Sequence, residues 1–407
     1  MRLAFITLEF SADTFSGNGI YAQSQVRALS SLGHEVIVLA ARPSFCKDAP
    51  KPNGAAELIE VPVSSWGRLD SKGPWKEFAN GATQDGIPSR LAEFECQAMV
   101  GIDWSSWPVY EALKQNRLLM DACPLPPYVF SSYRIFSRTN DKEERAFMER
   151  MERTCFREAT GAMVLCRSDK DFALKHLIPP SSNHSPAVLL PPLRQDVADL
   201  PLQTDMETGT VGIHESRPYI TCCVRLSGEK EPQRFVDIAA EMHRRGLFEK
   251  FKLVPFLCGS ANSAYAQEVK RRLKDTVPSC IIEERFLDCK EMAKLYAKTR
   301  LNIHPCSHDA YGMTIVEAAS QGAPSIVANS GNVGATDLLS CEKNEVICLD
   351  FSQEISSAVD KIESCLSDST WLQNAGKRAA SKARSYTEEA NGVELLGILS
   401  GILSGKG

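Results

Sequence analysis

The sequence has no run of eighteen apolar residues, so no membrane-spanning helix is expected. It has no CxxC pair and no His/Cys cluster at zinc-ligand spacing, although fourteen cysteines are scattered through it, with Cys222 and Cys223 adjacent. Buried free thiols in a reducing compartment are expected, in place of a disulfide framework or a structural zinc site. There is no polybasic cluster to drive membrane binding, which leaves only peripheral contact open. The net charge of −5 gives no basis for a nucleic-acid partner. Residues 1–8, MRLAFITL, are apolar but only of strand length. They have neither the apolar core nor the cleavage site of a signal peptide, so a cytoplasmic location is expected.

Composition and length are those of a globular protein of two domains. Hydrophobic residues at 43% and charged residues at 24% exclude wholesale disorder. A chain of 407 residues exceeds one ordinary core and suits two domains of about 150–200 residues each.

The pattern along the chain is two alternating strand–helix series. Residues 3–8 are continuously apolar, as a buried parallel strand requires. A loop holding Ser16-Gly17-Asn18-Gly19 follows, then a helix through Tyr21, Val26 and Leu29 to Gly33-His34, then a strand over 35–39 that closes a βαβ unit. Residues 98–102, 128–131 and 161–165 are further strands. Residues 43–87, rich in Gly, Pro, Ser and Trp, give no clear pattern. The second half repeats the alternation, with strands over 219–226, 251–258, 280–286, 300–304, 325–328 and 345–349. Helices over 355–366, 371–383 and 388–403 close the chain.

Two doubly wound α/β domains result: residues 1–200, a polar linker over 201–217, and residues 218–385. The apolar helix at 386–407 is expected to pack back on the first domain, with docking on a partner as the alternative. Ligands of such sheets bind at the carboxyl ends of the strands, and with two domains the expected place is the cleft between them.

Residues 304–324, HPCSHDAYGMTIVEAASQGAP, hold the most chemistry. A short strand turns polar, passes Gly312 and enters a helix with Ile315, Ala318 and Ala319 on one face, stopping at Gly322-Ala323-Pro324. The backbone N–H groups of Met313 and Thr314 at that helix start form an anion site, strengthened by the helix dipole. Asp309 lies before the site and Glu317 inside the helix, placed to grip hydroxyls on either side of a bound diphosphate. Arg225 ends a strand, and Lys230 lies five residues on, in a loop just before a helix. They are either a clamp for a diphosphate leaving group or solvated surface charges. Glu317 has its own bland alternative, a first-turn acid complementing the dipole. Gly17 and Gly19 permit close backbone approach to a phosphate or sugar, yet the full GxGxxG form is missing.

The chain resembles the family-four retaining glycosyltransferases of the GT-B fold (glycosyl transferases group 1). Three signatures carry the resemblance in order: Gly17-Asn18-Gly19 with the helix ending at Leu32-Gly33-His34-Glu35-Val36; Val224-Arg225-Leu226-Ser227-Gly228-Glu229-Lys230, similar to the family's diphosphate clamp; and residues 304–324, similar to its two-acid motif with Asp309 where Glu is usual. The resemblance implies that Glu317 holds the donor ribose hydroxyls and that Asp309 contacts the transferred sugar. Gly312, Met313 and Thr314 would meet the phosphates, with Tyr311, Gly259 and the glycine loop completing the donor-binding set. Arg225 and Lys230 would neutralise the leaving group. No resident cofactor or bound metal is implied, and no DxD motif stands out.

The first half departs from that family. Relatives place a histidine near the sugar, but residues 101–107, GIDWSSW, have none. Asp103, at a strand's carboxyl end, is the expected substitute. Trp104 and Trp107 either stack on sugar rings or pack in the core. Arg134 is a candidate for an acidic or phosphorylated acceptor. The expected activity is transfer of a sugar from a UDP- or GDP-linked donor to a small-molecule, glycan or lipid-linked acceptor, with retained configuration. The alternatives are a sugar-nucleotide epimerase on the same fold and an inactive nucleotide-sugar-binding subunit.

Overall fold

The computed structural model describes residues 1–11, 16–43, 54–65, 70–84, 86–116, 125–139, 142–180, 185–202, 217–259 and 261–405. These divide into two compact units, Met1–Pro192 with Glu388–Gly407, and Leu193–Thr387.

In the first unit a parallel sheet is built from β1 (Arg2–Thr7), β2 (Glu35–Pro43), β3 (Glu57–Val63), β4 (Ala98–Ile102), β5 (Tyr128–Ser132), β6 (Gly161–Val164) and β7 (Ala187–Val188), in the order β3-β2-β1-β4-β5-β6-β7. Parallel neighbours need crossovers. These are supplied by α1 (Gly17–Ser31), α2 (Trp75–Gly81), α3 (Ile87–Phe94), α4 (Ser106–Gln115), α5 (Lys142–Glu158) and α6 (Arg167–His176). With both faces covered, β1, β4 and β5 are buried almost throughout, which is why they lack alternation. β3 is different. It lies at the sheet edge, alternates in burial and tolerates Pro62 there, so its apolar signal is diluted. Strand β3 and helix α2 both fall in the 43–87 stretch that gave no pattern. The strand order reverses between β1 and β4, so their carboxyl ends flank a switch point.

In the second unit a short helix α7 (Gln195–Ala198) precedes the sheet. Strands β8 (Tyr219–Cys223), β9 (Val254–Cys258), β10 (Ile281–Glu283), β11 (Thr299–Ile303), β12 (Ser325–Ala328) and β13 (Ile347–Leu349) form a parallel sheet in the order β10-β9-β8-β11-β12-β13. Its helices are α8 (Pro232–Arg244), α9 (Leu247–Phe251), α10 (Ala264–Thr276), α11 (Cys289–Ala297), α12 (Met313–Ser320), α13 (Ile355–Ser367) and α14 (Ser369–Ser385). The switch point lies between β8 and β11. Their polar residues are satisfied inside the sheet: Thr221 Oγ1 donates to Asn302 Oδ1 at 3.0 Å, and Asn302 Nδ2 to Ser325 Oγ at 2.9 Å.

The last helix, α15 (Glu388–Leu403), lies in the first unit and packs on α1. Gln25 Nε2 donates to Asn391 Oδ1 at 2.6 Å, and Arg27 pairs with Glu388 at 2.5 Å. A Cβ at Gly392 would sit 2.9 Å from Leu32 Cδ1, so glycine permits this close approach.

Several expectations change. Gly17 and Asn18 belong to the first turn of α1, capped by Ser16, and not to a preceding loop. β8 ends at Cys223, ahead of Arg225. Of the linker, residues 203–216 lie outside the described residues, while Arg217 is buried in the second unit and donates to Thr299 O and Gln321 O, each at 3.2 Å. The sulfurs of Cys341 and Cys348 are bonded to each other, so these two are not the free thiols expected. No helix among the described residues is long and apolar enough to cross a membrane.

Candidate active site

The second unit gathers its chemistry at the carboxyl ends of β8 and β11. After β8 the chain turns through a 3-10 segment, Gly228–Lys230, before Pro232 opens α8. This connection is stapled to the one after β11. Glu231 Oε2 accepts from Ser307 N at 2.5 Å, Arg234 Nη1 donates to Pro305 O at 2.9 Å and to Ser307 Oγ at 2.8 Å, and Cys306 Sγ donates to Lys230 O at 3.3 Å. A second tie fixes Asp309, whose N–H donates to Asn332 O and whose carbonyl accepts from Gly334 N, each at 2.9 Å.

Lys230 Nζ then reaches Asp309 Oδ2 at 2.8 Å, and the same oxygen lies 3.1 Å from His304 Nε2. The other oxygen, Oδ1, accepts a longer bond from Tyr311 N at 3.4 Å. Burial raises a carboxyl pKa, but the Lys230 ammonium and the His304 ring outweigh it here and hold Asp309 well below the usual carboxylate range. For His304 burial favours the neutral ring, yet Cys306 and Asp309 reverse this and bring it up to about 9. His304, Cys306 and Asp309 offer donor atoms within 4.8 Å of one another. A metal ion on Oδ2 would meet the Lys230 ammonium already there, so the donor set fits a cationic side chain better than a metal.

Gly312 has φ 87° and ψ 61°, the left-handed conformation that lets the chain turn into α12. Met313 and Thr314 open that helix with N–H groups that have no acceptor within it. Tyr311 is buried beside the turn, its carbonyl accepting from Ala335 N at 2.6 Å. Glu317 is the fifth residue of α12, just past the first turn within which the dipole acts, so the first-turn alternative does not apply. Burial pushes its pKa up, opposed by Arg194. Arg194 caps α7 and forks to Asp196 at 3.0 and 2.6 Å. Sequence reasoning missed Arg194 and His304; the first lay near the linker with no motif, the second at a strand end where a histidine passes for core.

Two expected residues stand apart from this cluster. Arg225 is exposed, and its guanidinium lies 3.7 Å from Glu229. Gly259 follows β9, and a Cβ there would fall 2.5 Å from Val224 O. Close approach of two strand ends is therefore sufficient reason for glycine at that position.

In the first unit the switch point brings together two features distant in sequence. Asn18 Nδ2 donates to Asp103 Oδ2 at 2.5 Å. Asp103 adopts φ 57° and is buried, its Oδ1 accepting from Ser105 N at 2.7 Å and its N–H donating to Ser131 O at 2.9 Å. Burial pushes its pKa from 3.8 to about 6, against the pull of Ser105, Asn18 and Arg134. Gly17 and Gly19 flank Asn18, and Ser16 Oγ accepts from Gly19 N at 3.4 Å. Trp104 is fully buried against Trp75, Phe136 and Phe147, and Trp107 packs on Tyr110 and Tyr128. Both tryptophans are core. Arg134 stacks on Phe136 at 4.4 Å.

The family model for glycosyl transferases group 1 matches residues 206–384. No curated sequence matches the chain. Among solved structures, sucrose-phosphate synthase from Thermosynechococcus elongatus is similar over 99% of both chains, with TM-score 0.77 and 12% identity. HepE of Anabaena, solved with UDP and glucose, is similar over 98% of this chain and 99% of its own, with TM-score 0.68 and 13% identity. The catalytic domain of starch synthase IV from Arabidopsis thaliana, bound to ADP and acarbose, covers 99% of both chains with TM-score 0.69 and 12% identity. The match to the glycosyl transferases group 1 model is thus confined to residues 206–384, and the likeness to these structures over the whole chain shows that it has the GT-B fold.

Proposed function

We propose that this chain is a retaining glycosyltransferase that takes a sugar from a UDP- or GDP-linked donor. The observation that carries the proposal is the Lys230–Asp309 pair at 2.8 Å beside the turn that opens α12. The pair sets a lysine ammonium and a carboxylate close to the start of a helix, which supports this reading. The donor diphosphate lies against the N–H groups of Met313 and Thr314, with Lys230 as a point charge and the exposed Arg225 turning in as a fork. These cations stabilise the leaving group as its bond to the anomeric carbon breaks. Glu317, one turn into α12, holds the ribose hydroxyls, and Asp309 holds those of the transferred sugar. On the first unit, Asp103 takes the place of the family's histidine, with Gly17, Asn18 and Gly19 beside it. No resident cofactor or metal takes part in this scheme. HepE, solved with UDP and glucose and with UDP-glucose, supports a nucleotide sugar as donor.

Incubating the protein with UDP- and GDP-sugars, alone and with candidate acceptors, tests this. Nucleotide release with transfer, and an unchanged anomeric configuration in the product by NMR, is the expected result. Conversion of the donor sugar without transfer would identify an epimerase, and donor binding without release an inactive binding subunit.

A further inference from the structure

We infer that His304 is the positioning residue for Asp309: it fixes Oδ2 and so turns Oδ1 toward the donor sugar. The inference rests on the proposed role of Asp309 as the sugar-binding acid. Asp309 has an arm one methylene shorter than the glutamate usual at this position, so small rotations matter more to where Oδ1 lies, which only the long bond from Tyr311 N holds on its other side. Two groups hold Oδ2, and they differ in freedom. Lys230 is long, only partly buried and proposed to serve the diphosphate. Once it moves to a phosphate, a buried carboxylate would lose its partner, at considerable cost.

His304 is the partner that stays. Its N–H donates to Ile326 O at 2.9 Å, which fixes it at the end of β11, and its side chain is only 3% exposed. The ring lies beneath the α12 turn, with Nε2 3.7 Å from where a Cβ on Gly312 would be. Cys306 lies beside the ring, its sulfur within 4.8 Å of a ring nitrogen, while its own proton goes to Lys230 O. With a carboxylate 3.1 Å from Nε2 and a pKa brought up to about 9, the ring carries both protons at neutral pH. The ionisable groups around it are Asp309 and Cys306 from its own connection, Lys230 from the turn after β8, and Arg234 from α8 on the neighbouring Pro305 carbonyl.

The test compares wild type, His304→Ala and His304→Gln for nucleotide release, and titrates the histidine ring protons by NMR in wild type and Asp309→Asn. The Ala variant should lose roughly 10- to 100-fold in kcat with donor KM little changed, as misplacement of a reacting group does. The Gln variant, whose amide still donates, should recover much of that loss. A histidine resonance absent from His304→Gln should titrate near pH 9 in wild type and well lower in Asp309→Asn. Equal kcat in all three proteins, or a resonance indifferent to Asp309→Asn, would overturn the inference. If wild type releases nucleotide from no donor, the proposed function fails, and the titration alone decides the histidine–aspartate pairing.

Discussion

Asn18 on the first turn of α1 and Asp103 beyond the end of β4 are 85 residues apart, yet Asn18 Nδ2 lies 2.5 Å from Asp103 Oδ2. Parallel pairing of β1 with β4 brings their carboxyl ends side by side, so a glycine-bearing turn and a buried acid become one feature. Asn18 can hold the acid in place without neutralising it.

Asp103→Asn separates charge from shape. Asparagine tolerates the left-handed backbone and keeps an acceptor for Ser105 N. Because the folded pKa is raised from 3.8 to about 6, the folded protein binds the proton more tightly, and stability falls as pH rises between those values. The variant should escape that loss, about 3 kcal/mol at most. A melting temperature at pH 7 equal to or above wild type, with turnover lowered roughly 10- to 100-fold, is the expected pair of results from calorimetry and nucleotide-release kinetics.

Lys230→Ala should leave Asp309 Oδ2 with His304 alone. The Asp309 pKa is depressed in the folded state, so the pair stabilises the protein above the unfolded value of about 4 and ceases to do so as pH falls through the folded one. Urea unfolding should show a deficit of roughly 2 kcal/mol at pH 7, between the values for exposed and buried pairs. That deficit should shrink on acidification; one independent of pH would mean that packing of the lysine stem, not the ion pair, was lost.

Glu317→Gln tests the donor-binding acid. Burial raises the carboxyl's pKa, so its ionised form weakens the fold as pH rises, and an amide should not destabilise at pH 7. Donor Kd by calorimetry should rise roughly 10-fold or more, as expected on losing charge-assisted bonds to hydroxyls. Arg194→Ala, which removes the cation opposing that rise, should weaken donor binding more at pH 6 than at pH 8.

Gly259→Ala should destabilise by about 2–4 kcal/mol through overpacking, because the new Cβ would meet the Val224 carbonyl at 2.5 Å and Leu226 Cγ at 2.8 Å. At Gly312 the nearest atom is the terminal methyl of Ile315, Cδ1, at 2.6 Å, which a rotation about χ2 can move, so the strain is chiefly the left-handed backbone, about 1–2 kcal/mol. Thermal unfolding of the two variants should rank them in that order.

Buried parallel strands announce themselves as short apolar runs, and β4 and β12 lie where their sequences predict. Edge strand β3 does not, because solvent on one side permits polar residues and Pro62. The turn at Gly312 and the helix that opens at Met313 and carries Glu317 were legible because a strand, a glycine turn and a helix follow one another locally. His304 and Arg194 were not. Their significance lies in what faces them, and a strand-end histidine or a linker arginine looks ordinary until its neighbour is known. Trp104, equally open to core or sugar from sequence, is decided by the three aromatic rings around it.

The sequence by itself determined the alternation of elements, hence two doubly wound sheets, and the local order of residues around Gly312, because periodicity and turn chemistry act over a few residues. Only the tertiary structure decided which distant groups meet: Lys230 with Asp309, and Asn18 with Asp103. Strand order sets those encounters, and it is fixed by packing over the whole unit, not by the residues that are brought together.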